Sequence, residues 1–187
     1  YKPKTYKDVG IDLGIKTFST QSDGVEIANP KFLNKNQVKL RRMQQHLSRK
    51  KSGSNRKNKC RVKIAKLHQK ISNQREWFLQ NYSTWLINNY DTIFIEDLNI
   101  SGMVKNHCLA GVISDVSWGR FTAMLAYKAI WYGKDVFKVD RFFASSKTCE
   151  CGHKNNDLML SDRKWVCPSC GAINQRDLLA ANNILKE

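Results

Sequence analysis

Two short apolar runs that each contain an acidic residue constrain the fold of this chain most strongly. Residues 8–20 read DVGIDLGIKTFST and residues 92–98 read TIFIEDL, and both are rich in the β-branched and aromatic residues typical of strands. Asp12 and Glu96 lie between apolar neighbours in these runs, where an unpaired carboxylate is costly. Because a helical segment separates the runs, we expect them to form parallel strands of one sheet.

The other segments alternate between strand and helix patterns. Strands are expected at 8–20, with Gly10 and Gly14 as bend points, at 25–28 after a turn at 22–24, at 31–33, at 92–98 and from 135 onward. Helices are expected from 36, over a long stretch that includes 64–85, from 114 or 117 to 133 and at 177–185, with loops at 48–58 and 99–114. This order predicts an α/β fold with a mixed five-stranded sheet flanked by helices, similar to that of ribonuclease H-like nucleases.

The formal net charge of +16 comes from one segment. The chain has 32 Lys and Arg against 16 Asp and Glu, and residues 27–75 contain 16 of the basic residues and no acidic one. Such a cluster of basic residues binds a polyphosphate favourably because counterions are released on binding, so nucleic acid is the expected partner. The alternatives are a solvated helix face with a polybasic loop and an anionic membrane surface. The residues expected to bind nucleic acid are Arg41, Arg42, Arg49, Lys50, Lys51, Arg56 and Lys57.

Hydropathy predicts no membrane-spanning segment. The longest uncharged stretch, residues 77–90, has 14 residues and is interrupted by Gln, Asn and Ser. A spanning helix needs about 20 mostly apolar residues. The chain begins with Tyr1, Lys and Pro rather than with Met and an apolar signal segment, so we interpret it as a fragment of a longer protein.

A third carboxylate completes a candidate catalytic set. Phosphodiester cleavage by two metal ions requires several carboxylates that converge on one point. Asp177 opens the last expected helix, and its order after Asp12 and Glu96 favours such a set. Each residue also has a structural interpretation, since a strand-end acid can accept from backbone amides and a helix dipole favours an acid at its start. Asp97 should point to the opposite face of the sheet and is not expected to belong.

Four of the six cysteines have the spacing of a zinc site. Cys149, Cys151, Cys167 and Cys170 form Cys-x-Cys-Gly and Cys-x-x-Cys-Gly pairs separated by 15 residues. Two such turns supply a closed, structural tetrahedral thiolate site. The first pair is one residue shorter than usual, so His153 is an alternative ligand, and a disulfide pair is the alternative chemistry.

The motifs IDLGIKTF, IEDLNISGM, SSKTC with CPSCG, and RDLLAANNI occur in this order. Together they resemble the nuclease half of TnpB, the RNA-guided endonuclease of insertion sequences, and its miniature type V CRISPR relatives. The resemblance covers residues 9–185. It implies that Asp12, Glu96 and Asp177 are RuvC-type catalytic carboxylates that bind two Mg²⁺ ions, and that the four cysteines hold the Zn²⁺ of a zinc ribbon.

The same resemblance implies a domain organisation and partners. We expect the main part of a RuvC-like domain at 1–143, an inserted zinc ribbon at 144–173 and the last RuvC segment at 174–187. The expected function is a metal-dependent DNA endonuclease module that acts on DNA in the prokaryotic cytoplasm, at the nucleoid, and meets guide RNA through its full-length parent. The alternatives are a guided DNA-binding protein or transposition regulator without cleavage, and a junction resolvase, which would need a dimer.

Overall fold

The computed structural model describes residues 1–159 and 161–187. Within them the chain forms seven strands and six helices: β1 (Asp8–Leu13), β2 (Thr17–Gln21), β3 (Glu26–Ala28), α1 (Phe32–Ser48), α2 (Asn55–Asn89), β4 (Thr92–Glu96), α3 (Ile100–Val104), α4 (His107–Val116), α5 (Trp118–Tyr132), β5 (Asp135–Val139), β6 (Lys164–Val166), β7 (Ile173–Gln175) and α6 (Arg176–Lys186). Among the helices of these residues, none combines the length and apolarity needed to cross a membrane.

The main sheet has five strands in the order β3-β2-β1-β4-β5. Strand β1 is antiparallel to β2 and parallel to β4, and β4 is parallel to β5. The helical crossover α1–α2 accounts for the parallel pairing of β1 with β4, because parallel neighbours cannot be joined by a tight turn. The predicted mixed five-stranded sheet flanked by helices is confirmed.

The assignment of the first strands was wrong in two places. Residues 8–20 form two strands, because the chain turns at Gly14, whose N–H donates to the Phe18 carbonyl at 3.2 Å. A Cβ atom at Gly14 would lie 2.8 Å from the Thr17 carbonyl oxygen, so this turn needs a glycine. The expected strand at 31–33 is instead the start of α1. The carboxylate of Asp115 accepts from the Leu33 N–H there, a long-range cap that the local sequence does not reveal.

Two predicted loops are partly helical. Residues 99–114 contain α3 and most of α4, where Asn99 accepts from the Gly102 N–H and Asn106 accepts from the Cys108 N–H at the helix starts. The glycines in these helices weaken the helical pattern, which explains the error. The basic loop is also shorter than expected, since α1 ends at Ser48 and α2 begins at Asn55. Arg56 and Lys57 therefore lie on α2.

Opposite faces of the sheet are covered by different helices. On one face, the buried residues Val9, Ile11, Ile93 and Ile95 belong to the main core together with residues of α2 and α5. Helix α6 covers the other face and approaches β1 so closely that a Cβ atom at Gly10 would lie 2.1 Å from a backbone carbonyl oxygen of α6. A glycine at this position thus allows the close approach of α6 to β1.

A small second core lies under the cysteine-rich segment. Strands β6 and β7 pair antiparallel, with Trp165 opposite Asn174. The buried residues of this core come from the cysteine-rich segment and from α6: Cys149, Leu158, Trp165, Cys167 and Leu179. The segment is thereby packed against the same helix that covers the main sheet. Its assignment as an inserted domain at 144–173, between 1–143 and 174–187, stays a prediction.

Candidate active site and metal centre

The three predicted carboxylates line one cavity. It has a volume of about 450 Å³, and Asp12, Glu96 and Asp177 share it with two arginines, Arg163 and Arg176. Apolar side chains, among them Leu98, Met103 and Trp118, form part of its wall. The structure therefore brings together residues that are 84 and 81 positions apart in the sequence.

The packing of α6 on the sheet explains this convergence. In the parallel pair, Ile11 lies opposite Ile95, so the next residues of each strand, Asp12 and Glu96, lie side by side on the face covered by α6. The carbonyl of Ala181 on α6 lies against Gly10 on β1, which fixes the position of the helix on the strand. Counted from this contact, Asp177 lies four residues earlier on α6, and Asp12 lies two residues later on β1. Four residues of a helix and two residues of a strand each span about 6 Å, so Asp177 and Asp12 reach the same end of the sheet.

The cavity disfavours uncompensated negative charge. Burial raises the pKa of Asp12 well above its ordinary value, and the charges of Glu96 and Asp177 raise it further. Burial also raises the pKa of Glu96, against a hydrogen bond from Ser145 and the charge of Arg176. The charges of Glu96 and Asp177 oppose the ionisation of Asp12, so a cation that binds among these groups would relieve an electrostatic cost.

Arg163 is a residue of this cavity that the sequence did not reveal. Its guanidinium Nη1 donates to both carboxylate oxygens of Asp177 at 3.2 Å. It directly precedes β6, and its backbone carbonyl accepts from the Arg176 N–H at 2.9 Å, which connects the cysteine-rich hairpin to the start of α6. An isolated arginine in a basic chain gives no sequence signal of such a contact.

Ser145 also contacts the carboxylate set. Its hydroxyl donates to Glu96 Oε1 at 2.9 Å. The buried side chain of Asn183 on α6 holds this segment, because its Nδ2 donates to the Ser145 carbonyl at 2.7 Å and to the Thr148 carbonyl at 2.6 Å. Ser145 belongs to the SSKTC motif, but the motif alone did not show that its hydroxyl faces Glu96.

Asp97 is engaged elsewhere. It pairs with Arg141 and Lys138 at the other side of the strand end. The hydrogen bond from Arg141 lowers the pKa of Asp97. Asp97 does not belong to the described residues that line the carboxylate cavity.

The four predicted cysteines form a cluster that could hold a metal ion. Their sulfur atoms all lie within 4.8 Å of one another. Cys149 and Cys170 are 3.7 Å apart and Cys151 and Cys167 are 3.6 Å apart, between sulfurs. A tetrahedron with about 2.3 Å from zinc to each sulfur has edges of about 3.8 Å, which fits, whereas a disulfide needs about 2.05 Å. The alternative disulfide pairing is therefore not found in these residues, where all four thiols are free.

The surroundings of Cys149 favour its thiolate form, whereas the pKa of Cys170 is raised. The N–H of Cys151 donates to the Cys149 sulfur and lowers the pKa of Cys149 to about 6. The Asn174 amide also donates to this sulfur, at 3.5 Å. His153 contributes its backbone carbonyl, which accepts from the Cys149 N–H at 2.8 Å, and the cluster is formed without its ring.

The seven predicted nucleic-acid contacts lie on a helical hairpin outside the carboxylate cavity. Their positions are spread over α1, the loop at 49–54 and the start of α2: Arg41, Arg42, Arg49, Lys50, Lys51, Arg56 and Lys57. All seven are exposed or half-buried. Among the described residues, none of them lines the carboxylate cavity. Their role in binding stays a prediction.

The chain is similar to known proteins over nearly its whole length. It is 42% identical over 184 residues to a Streptomyces pristinaespiralis protein named "Putative RNA-guided DNA endonuclease". The matched region covers 98% of this chain and 46% of that protein. It is 35% identical over 194 residues to the protein of the same description, InsQ, from Escherichia coli K12, which covers 95% of this chain and 48% of that protein. The chain thus spans about half the length of these relatives.

A solved structure and two family models agree with these relatives. The fold matches a chain of the cryo-EM structure of the Cas12f1–sgRNA–target DNA complex with a TM-score of 0.67 and 19% identity, over 99% of this chain and 51% of that chain. The model for the Cas12f1-like TNB domain matches residues 118–184. The model OrfB_IS605, described as a probable transposase, matches residues 1–107, more than half of the chain. The chain therefore belongs to the OrfB (TnpB) family of IS605-type probable transposases.

Proposed function

We propose that this chain is the nuclease module of an RNA-guided DNA endonuclease and hydrolyses phosphodiester bonds with divalent metal ions. The observation that carries the proposal is the shared cavity of Asp12, Glu96 and Asp177. The names of the relatives, which are about twice as long as this chain, support DNA as the substrate. Guide RNA would be bound together with the remaining part of the full-length parent.

The carboxylate cavity suits Mg²⁺. Carboxylate oxygens are the hard ligands that this ion prefers, and a bound cation would offset the cost of the Asp12 charge that burial and, after it, the charges of Glu96 and Asp177 impose. Asp12, Glu96 and Asp177 would together hold the ions. When bound, two such ions activate a water molecule and stabilise the charge that develops on the phosphate and on the leaving oxygen.

The chain's own residues would orient the substrate. The guanidinium groups of Arg163 and Arg176 supply positive charge in the cavity, which favours a phosphate over a neutral ligand. Arg163 pairs with Asp177 at 3.2 Å, so its guanidinium lies beside the carboxylate set, where it could donate to a bound phosphate. Leu98, Met103 and Trp118 restrict the access of bulk water from one side.

Zn²⁺ in the four-cysteine cluster would have a structural role. Four thiolates fill a tetrahedral site and leave no position for substrate. Ser145 and Arg163 each lie four residues before a cysteine of the cluster, Cys149 and Cys167. The ion would therefore hold in place the two segments that contact Glu96 and Asp177.

A cleavage assay tests the proposal directly. We expect the full-length parent, loaded with its guide, to cleave matched DNA with Mg²⁺ and to leave it intact when Mg²⁺ is omitted. Guide-dependent binding of the target without cleavage at any Mg²⁺ concentration would instead support the alternative of a nuclease-silent DNA-binding protein or transposition regulator. Cleavage of branched junctions without a guide would support the junction resolvase.

Removal of the Ser145 hydroxyl should weaken metal binding. In Ser145→Ala, Glu96 loses its 2.9 Å hydrogen bond, and its carboxylate is no longer oriented. We expect a loss of roughly 10- to 100-fold in Mn²⁺ affinity and in cleavage, the range for a residue that supports a metal ligand. Isothermal titration with Mn²⁺ and a cleavage time course measure the two effects. Ser145→Thr, which keeps a hydroxyl, should recover most of both, and equal losses in the two variants would contradict this role.

Neutralising the basic loop should reduce the salt dependence of nucleic-acid binding. Each phosphate contact contributes roughly 0.7 to 0.9 to the slope of log affinity against log salt, so Arg49→Ala/Lys50→Ala/Lys51→Ala should lower it by up to about two. Fluorescence anisotropy at several salt concentrations measures the slope. The control Lys4→Ala/Lys7→Ala removes exposed lysines outside the basic segment and should leave the slope unchanged. An unchanged slope in the triple variant would remove this loop from the binding surface.

A further inference from the structure

A second cavity lies along helix α2, outside the carboxylate cavity. This cavity, the α2 groove, has a volume of about 680 Å³ and is lined by Phe32, Lys66, Gln69, Lys70, Asn73, Gln74 and Trp77. Six of these residues follow one another on α2 at alternating steps of three and one, so they form one stripe of the helix. The stripe combines an indole, three amides and two lysines.

Trp77 is the most unusual member of the stripe. Its relative exposure is 71%, although a tryptophan normally buries most of its large apolar surface. Phe32 at the other side of the groove is anchored, since its ring lies 6.3 Å from that of Phe78 and packs against the core between α1 and α2. The groove therefore offers an accessible aromatic ring beside a rigid wall.

The electrostatics of the groove favour a negatively charged ligand. Lys66 and Lys70 are exposed and lie one helical turn apart, within the segment 27–75 that has no acidic residue. The nearest acid in the sequence, Glu76, is paired with Arg120 at 3.0 Å. A ligand that presents phosphates to the lysines and a flat ring to Trp77 matches the groove in charge and in shape.

A third cavity borders the carboxylate cavity and includes a sequence neighbour of the groove residue Phe32. Ile15 lines the carboxylate cavity and also a neighbouring cavity of about 430 Å³, which Lys31 and Leu33 line as well. Leu33 is the neighbour of Phe32, which lines the α2 groove. A nucleic-acid strand that leaves the α2 groove past Phe32 would therefore reach the start of α1, which lines the cavity beside the carboxylates.

We infer that the α2 groove binds an unpaired nucleotide of a single-stranded nucleic acid, with its base stacked on Trp77 and its phosphates at Lys66 and Lys70. The amides of Gln69, Asn73 and Gln74 lie where they can reach base edges. This inference rests on the proposed nucleic-acid function and adds a site for the strand away from the cleavage chemistry. Since DNA and RNA share this chemistry, the experiment must distinguish them.

The test measures binding of the chain to labelled oligothymidine, oligouridine and an abasic DNA strand of equal length, without added Mg²⁺. For Trp77→Ala we expect affinity for the strand that occupies the groove to fall roughly 5- to 150-fold, the range for loss of one stacking aromatic residue. Affinity for the abasic strand should stay within about twofold, because no base is present to stack. The oligonucleotide that shows the loss identifies DNA or RNA as the ligand.

Three variants control for loss of fold and of charge. Trp77→Phe keeps an aromatic ring and should retain most of the affinity. Trp131→Ala removes a tryptophan of similar exposure, 66%, that lies on α5 outside the groove, and should bind all strands like the parent chain. Lys70→Ala should weaken binding of the base-containing and abasic strands alike, since it removes a phosphate contact.

Several results would overturn the inference. Unchanged binding in Trp77→Ala would remove the groove from the nucleic-acid surface, and an equal loss on the abasic strand would exclude base stacking. If the free parent chain sediments as a dimer and Trp77→Ala sediments as a monomer, the groove would instead be a contact with a second copy of the chain. The binding test does not depend on cleavage, because Mg²⁺ is omitted, so it can succeed even if the full-length parent does not cleave DNA. Conversely, if the full-length parent cleaves DNA but Trp77→Ala does not change strand binding, the groove is rejected and the proposed function is kept.

Discussion

Asp12→Asn is expected to abolish cleavage, with a loss of at least about 10³-fold in rate. The substitution removes one of the three carboxylates that would hold the metal ions, and a loss of about 4 kcal/mol of transition-state stabilisation corresponds to this factor, since each ~1.4 kcal/mol is a factor of ten. Single-turnover cleavage of guide-matched DNA measures the effect. Mn²⁺ titration of the same variant should show weakened binding in the absence of any substrate.

The fold of Asp12→Asn should survive. Burial and the charges of Glu96 and Asp177 raise the pKa of Asp12, so its negative charge carries a free-energy cost in the folded protein. A neutral amide of the same shape removes this cost, so the melting temperature without added divalent ions should stay equal or rise. A clear fall in melting temperature would contradict this account of the cavity, and so would cleavage within tenfold of the parent.

Asp97→Asn is the matched control for this experiment. It lies one residue after Glu96 but pairs with Arg141 and Lys138 outside the carboxylate cavity. Exposed ion pairs contribute little to stability, so fold and cleavage should be largely retained. Equal loss of cleavage in Asp12→Asn and Asp97→Asn would point to general damage at the strand end rather than to a specific role of Asp12.

Cys167→Ser is expected to have the second largest effect. Cys167 is 1% exposed and belongs to the core of the cysteine-rich segment, with Trp165 and Leu179. Loss of one thiolate should release the Zn²⁺, whose binding is worth on the order of 10 kcal/mol in comparable structural sites, and should unfold this segment. Ser145 and Arg163 would then lose their positions, so cleavage should fall by more than tenfold even though all three carboxylates remain.

Elemental analysis and limited proteolysis measure these consequences. The parent chain should contain one zinc ion per molecule and resist proteolysis between residues 144 and 175, whereas Cys167→Ser should contain none and be cut there. Cys108→Ser is the control, because Cys108 is an exposed thiol outside the cluster. Full zinc content in Cys167→Ser, or a parent chain that lacks zinc after purification without chelators, would refute the zinc site.

Local sequence was sufficient where short-range patterns carry the signal. The strands around Asp12 and Glu96 could be predicted because apolar, β-branched residues alternate over a few positions, and the crossover helix implied their parallel pairing. The cysteine cluster could be predicted because its four ligands lie within 22 consecutive residues. By contrast, the strand at 31–33 was mistaken because the cap of α1 comes from Asp115, which is more than 80 residues away.

The sequence by itself thus determined the sheet, the cysteine cluster and the residue types of the carboxylate set. Only the tertiary structure decided which groups surround those carboxylates. Arg163 and Ser145 reach Asp177 and Glu96 because the cysteine-rich segment packs on α6, and α6 lies against β1 because Gly10 has no side chain. These contacts join residues from separate elements, and no periodicity within one element can encode them. The same holds for the α2 groove, where the exposure of Trp77 follows from how α1 packs on α2.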